Sequence, residues 1–254
     1  MLSNIKKSKN IFSKILLASL LLPIMTINAD NHSSVEEEAA KIRFEKRYED
    51  QLNNFVFLIR YVTMPEQSMI HSTASGMIIS STKSHVFVLT AQHFCEAEED
   101  LIFPKEIGIF NGDNIRLGQV IHTDKNSDLC LISGIKYKGE KFKNLKLAKK
   151  MPPVGNFVFN VAAPNGMGSP KTRLLFTGHF GGCEDVCVYT VPATFGSSGS
   201  GVFNSKGELI SVLVMATEDF ENVGIGPDIY AINEFLKSIE DMMDIKWNYL
   251  LMKI

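Results

Sequence analysis

The chain predicts an all-β protein, an antiparallel sandwich or barrel flanked by one helix at each end. Three observations carry this. From residue 55 onward the chain breaks into short runs rich in β-branched and aromatic residues. Turn-forming clusters such as Asn111-Gly112-Asp113, Pro164-Asn165-Gly166 and Ser205-Lys206-Gly207 separate those runs at close spacing. Helical periodicity is confined to the two ends of the chain.

The first 29 residues stand apart. Lys6, Lys7, Lys9 and Lys14 make a basic start. An apolar run over 15–25 follows, broken by Pro23, and Ile27-Asn28-Ala29 ends on a small residue. This is the pattern of a secretory signal peptide, and the run is short for a membrane span. The expectation is export, to a periplasm or beyond the cell, with no stable membrane insertion once residues 1–29 are removed. Retention of that stretch as a membrane anchor is the alternative. The 225 residues that remain carry 22 Lys plus Arg against 28 Asp plus Glu, a net charge of −6. That disfavours nucleic acid as a partner, because phosphate binding needs a basic face.

Residues 30–54 are expected to hold the N-terminal helix. Ser33 or Ser34 supplies the cap, Glu36 to Glu38 sit where the helix dipole favours acids, and Asn53-Asn54 stops it. Strands are predicted at 55–62, 76–80, 85–90, 107–110, 117–123 and 129–132, and then at 156–161, 173–180, 186–191, 201–204 and 209–215. Pro152 and Pro153 interrupt the pattern within 148–154, which places a boundary between residues 55–150 and 151–230. A final helix over 232–243 puts Phe235, Leu236 and Ile239 on one side, within a last segment of 231–254 whose apolar end, 247–254, packs down or frays.

Three stretches carry chemistry. Val86-Phe87-Val88-Leu89-Thr90-Ala91-Gln92-His93 is a strand that ends on a histidine. Asn126-Ser127-Asp128-Leu129-Cys130-Leu131-Ile132 sets an aspartate at the mouth of a strand. Gly196-Ser197-Ser198-Gly199-Ser200-Gly201 is a glycine–serine turn leading into another strand. A serine hydroxyl needs a base within hydrogen-bond reach to act as a nucleophile at neutral pH, and histidine has the right pKa. The histidine needs a carboxylate to fix its tautomer and to stabilise the imidazolium. The oxyanion that develops needs donors that do not reorganise, and backbone N–H groups on a tight turn supply them.

In the order His, Asp, Ser, and in the patterns T-A-x-H, D-L-C-L and G-x-S-G, the sequence resembles the chymotrypsin-like serine proteases. The resemblance runs from about residue 55 to 236. It implies two six-stranded antiparallel barrels, with His93 and Asp128 from the first and Ser198 from the second. It implies Ser198 as nucleophile, His93 as general acid and base, Asp128 as its orienter, and the N–H groups of Gly196 and Ser198 as oxyanion donors. Ser197 and Ser200, His71, His85, His122 and His179, and Asp113 and Asp124 compete for these roles but lie outside the motif register. The position before the nucleophile is Ser197, not the aspartate that pairs with a new N-terminus after zymogen cleavage, and no I-V-G-G start follows the predicted signal. Both features match bacterial and viral relatives whose site is preformed. Gln92 replaces the alanine common before the histidine, and a neighbouring carbonyl is expected to satisfy its amide.

The resemblance places the substrate pocket at Pro192 and Ala193, at the strand edge Val214, Met215 and Ala216, and in one variant at Asp228. With Asp228 in the wall, charge pairing selects a basic substrate residue. With Asp228 as a turn residue after Pro227, the preference is small or apolar, and this is the favoured expectation. Once His93 and Asp128 meet, Cys95 and Cys130 lie near each other, and Cys183 and Cys187 flank a hairpin tip. Bridges 95–130 and 183–187 are expected among three possible pairings; buried free thiols are the alternative. The chain is expected to need no cofactor, and the cysteine spacing does not suggest a metal. The resulting expectation is an exported serine endopeptidase acting on a peptide or protein substrate. The competing reading is a silent homologue that binds a protein partner through the same cleft, and a further one gives the N-terminal helix a docking task.

Overall fold

The computed structural model describes residues 48–63, 69–96, 107–167, 173–217, 220 and 222–243. The chain divides into Met1–Tyr48 and Glu49–Ile254, and every element below belongs to the second. Most of the expected N-terminal helix, the signal segment and the apolar tail at 247–254 therefore lie outside the described residues. The described helix α1, Glu49–Asn54, runs directly into β1, Phe55–Thr63. Asn54 is buried and explains the stop: its Nδ2 donates to the carbonyls of Ile78 and Lys143, at 2.7 and 2.6 Å.

Six strands close the first barrel: β1, β2 (Met69–Ser81), β3 (His85–Ala91), β4 (Ile107–Asn111), β5 (Asn114–Asp124) and β6 (Leu129–Ile135). Their order is β1-β2-β3-β6-β5-β4, every pair is antiparallel, and β1 pairing with β4 closes the ring. Alternating inward residues fill it: Val56, Leu58, Ile78, Val86, Val88, Ile107, Ile109 and Ile132 share one core cluster. Each such side chain contributes roughly 1.5–3 kcal/mol on burial. The other face of β1 presents Phe55 and Phe57 to Val161 and Ala163, so the two halves meet across an apolar seam.

The second half is one seven-stranded sheet in the order β11-β10-β7-β8-β9-β13-β12. Its strands are β7 (Phe157–Ala162), β8 (Leu174–Cys183), β9 (Cys187–Tyr189), β10 (Gly201–Asn204), β11 (Leu209–Val212), β12 (Met215–Ala216) and β13 (Gly224–Gly226). The resemblance implied six strands here. The five strands expected from the sequence become seven because the expected strand 209–215 is two strands on opposite edges of the sheet and because β13 lies beyond all of them. Leu213 leaves the ladder to donate to Ser200 O and accept from Gly199 N–H, and the chain crosses over at that point. β8 pairs with β7 over its first part and with β9 over its last, with a bulge between Phe180 and Gly182 that bends the sheet.

Helix α3, Ile229–Met243, begins three residues before the predicted start. The cause is Asp228, whose Oδ1 accepts the N–H of Ala231 at 2.8 Å, an N-cap. Ile229, Ile232, Phe235, Leu236 and Ile239 are buried along one stripe. Phe235 stacks on His122 of β5, so the last helix ties back to the first barrel.

Candidate active site

His93 sits in a one-turn helix, α2 (Gln92–Cys95), directly after β3. Asp128 immediately precedes β6, and β3 and β6 pair from His85↔Ile135 to Ala91↔Leu129. The ladder therefore delivers the two residues to each other. Asp128 has φ +52°, a left-handed conformation that aspartate tolerates better than most residues. In that conformation its carbonyl accepts Gln92 N–H at 2.9 Å and its Oδ1 accepts His93 N–H at 2.8 Å. Its Oδ2 lies 2.7 Å from His93 Nδ1. The carboxylate is only an acceptor, so Nδ1 carries a hydrogen, and in the neutral ring Nε2 keeps the lone pair. The Asp128 side chain is 28% exposed, so this carboxylate is partly solvated. The Cys95–Cys130 disulfide joins the same two elements two residues beyond each partner, with Cα atoms 6.5 Å apart. Cys183–Cys187 closes the β8–β9 hairpin.

Ser198 lies in the turn before β10 and, with His93, lines a cleft of about 910 Å³. Phe195 O accepts from Asn165 N–H at 2.5 Å, and Gly196 O from Ser75 Oγ at 2.8 Å. Ser197 O accepts from Ser200 N–H at 3.1 Å, and Ser198 O from Ser75 N–H at 2.8 Å. Ser197 N–H donates to Thr194 O and Gly199 N–H to Leu213 O. Among the described residues, the N–H groups of Gly196 and Ser198 donate to no protein acceptor. A trans peptide directs its N–H opposite to its carbonyl. The pinned carbonyls of Phe195 and Ser197 therefore fix the directions of these two free donors. Gly196 has φ +86°, and a Cβ there would stand 2.5 Å from Ala163 O; Gly199 has φ +85°, and a Cβ there would stand 2.1 Å from Ser75 O. Neither position admits a side chain.

The competing hydroxyls are committed elsewhere. Ser200 is fully buried and accepts from Asn160 Nδ2, and Ser197 is buried and accepts Thr194 N–H. Asp124 accepts from Asn126 N–H and from Ser127 N–H and Oγ, which makes it a turn former; the Ser127 hydroxyl holds its carboxyl below the usual range. His85 meets Ser84, and His122 stacks on Phe235, both away from the cleft.

Of the predicted pocket residues, Ala193, Val214, Met215 and Ala216 line the cleft. Pro192 and Asp228 do not; Asp228 is occupied as the cap of α3. The carbonyl expected to satisfy Gln92 is absent among the described residues: its buried Nε2 has no partner there. Sequence reasoning missed Arg60, Thr73 and Leu213 in the lining. The guanidinium of Arg60 lies 5.6 Å from the Phe94 ring centroid, and its Nη1 donates to the Glu96 carbonyl. β12 forms the outer edge of its sheet and borders the cleft.

A family model described as a trypsin-like peptidase domain matches residues 74–212, more than half of the chain. No curated protein was found to match the sequence. Among solved structures, the serine endoprotease from Yersinia pestis superposes with a TM-score of 0.60 at 16% identity. That match covers 77% of this chain and 66% of the other, so the chain spans just under two thirds of its length. A likeness at this identity is a likeness of fold. Together with the match over residues 74–212, it leads to one conclusion: this chain belongs to the trypsin-like peptidase family.

Proposed function

We propose that the chain is an exported serine endopeptidase. The observation that carries the reading is one cleft holding a carboxylate-oriented imidazole, a serine and two uncommitted backbone donors. Ser198 Oγ attacks the scissile carbonyl while His93 Nε2 takes its proton. Asp128 keeps the imidazole in the Nδ1–H tautomer and stabilises the charged form. The N–H groups of Gly196 and Ser198 receive the oxyanion. His93 then gives the proton to the leaving amine, and a water activated by His93 hydrolyses the acyl-enzyme.

The edge of β12 at Met215–Ala216 accepts the substrate backbone as an added antiparallel strand. Ala193, Leu213 and Val214 make the adjoining wall apolar and uncharged, which suits a small or apolar residue before the cleaved bond. Two disulfides favour an oxidising compartment, in line with the signal-like first 29 residues.

A quenched-fluorescence peptide library tests this. The expected result is cleavage after small or apolar residues by the wild type and none by Ser198→Ala. A folded wild type that leaves every peptide intact would favour the silent, partner-binding homologue.

A further inference from the structure

The mechanism does not use Ser75, yet this fully buried serine of β2 has every polar group engaged, its hydroxyl and its N–H at the nucleophile turn. Its Oγ donates to Gly196 O at 2.8 Å and accepts Ala163 N–H at 2.9 Å. Its N–H donates to Ser198 O at 2.8 Å. Its carbonyl accepts Thr90 Oγ1 at 2.8 Å, three residues before His93. One residue of the first barrel thus holds two of the four carbonyls of the turn that presents Ser198. Through Thr90 it also touches the strand that delivers the base. The same hydroxyl receives the N–H of Ala163, at the start of the Pro164–Gly166 turn whose Asn165 pins Phe195 O.

We propose that Ser75 is a positioning residue for the oxyanion turn, a cross-barrel clamp on the 196–197 and 198–199 peptides, the ones that follow the two donor peptides, so that the Gly196 and Ser198 donors stay aimed at the substrate carbonyl. It touches no reacting atom. The physical case is the cost of the alternatives. If the 196–197 peptide rotated, the buried Gly196 carbonyl would lose its donor, and an unpaired buried carbonyl is unfavourable. The Ser75 hydroxyl also satisfies Ala163 N–H, so removing it orphans a donor and an acceptor together. The turn then gains freedom where the preorganised donors must stay fixed.

The proposal rests on the serine peptidase reading, and the test separates the two. Wild type, Ser75→Ala and Ser75→Thr are compared for kcat and KM on one cleaved peptide and for the inhibition constant of a peptide boronate matching it. Ser75→Ala is expected to lower kcat about 10- to 100-fold with KM changed less than about threefold, because the lost alignment matters only in the transition state. Boronate affinity should fall in parallel, and Ser75→Thr, which keeps the hydroxyl, should recover most of both. Should Ser75→Ala not fold, Ser75→Cys keeps the volume with a weaker donor and is expected to lose kcat in the same sense. A folded Ser75→Ala, or Ser75→Cys in its place, with a lower melting temperature but wild-type kcat and boronate affinity overturns the proposal and leaves Ser75 a structural residue. A wild type with neither cleavage nor boronate binding instead overturns the peptidase reading on which the proposal stands.

Discussion

Removing the Cys95–Cys130 bridge, as Cys95→Ala/Cys130→Val, separates what stabilises the first barrel from what aligns its His93–Asp128 pair. The bridge spans 35 residues of sequence. Loop-closure entropy for that length amounts to about 4 kcal/mol at 25 °C. For a domain of this size each kcal/mol moves the midpoint by roughly 2–4 °C, so the melting temperature should fall by roughly 8–16 °C. The Cys183–Cys187 bridge closes only four residues within a paired hairpin, so its loss should cost no more than about 2 kcal/mol. Activity should behave differently. Five contacts without sulfur hold His93 against Asp128: the Ala91↔Leu129 and Thr90↔Cys130 register, Gln92 N–H to Asp128 O, His93 N–H to Asp128 Oδ1, and His93 Nδ1 to Asp128 Oδ2. Urea titration gives the stability change, and kcat/KM well below the transition gives the second readout. The expected pattern is a loss of about 4 kcal/mol with kcat/KM within about threefold of wild type. A variant that keeps its stability but loses activity 100-fold would refute the reasoning, because it would make the disulfide the aligning element.

Gly196→Ala forces a side chain into φ +86° and 2.5 Å from Ala163 O, so the turn must shift; kcat/KM should drop at least about 100-fold, measured on active-site-titrated protein. Asp228→Ala removes the cap of α3 and should cost about 1 kcal/mol in urea while leaving the residue preference before the cleaved bond unchanged; lost cleavage after basic residues would return Asp228 to the pocket. Burial alone would raise the Glu140 carboxyl. The hydrogen bond and charge of Arg116, with the N–H of Tyr137 and the amide of Asn114, outweigh it and hold the group below its usual range. Its folded pKa is thus depressed, so its contribution is present above the unfolded value and lost as pH falls through the folded one. Glu140→Gln leaves the buried Arg116 guanidinium without its counter-charge and should cost roughly 3 kcal/mol at pH 7, a gap that narrows below about pH 4 in urea titrations.

The legible parts of this protein are those in which local chemistry dictates residue type. His93, Asp128 and Ser198 stand at strand ends in distinctive contexts, and strands that are continuous apolar runs buried on both faces, such as β3 and β6, emerge close to their observed limits. The illegible parts depend on distant partners. β2 begins at Met69, seven residues before the predicted start, because the small and polar stretch Ser72–Ser75 is held extended by pairing with β1. β13 is Gly-Ile-Gly and has no alternation to read; it is a strand because β9 and β12 flank it. Asp228 after Pro227 reads as a turn residue ahead of a pocket wall, and its role as the cap of α3 depends on the Ala231 N–H. Ser75 acts on Gly196 across 121 residues of sequence, and nothing in S-T-A-S-G announces that contact.

The most direct test of the central claim is labelling of the folded protein with a fluorophosphonate probe, alongside Ser198→Ala and His93→Ala. The account predicts stoichiometric modification of Ser198 in the wild type and none in either variant. Wild-type protein that is folded yet unlabelled, or labelling that persists in Ser198→Ala, would contradict it.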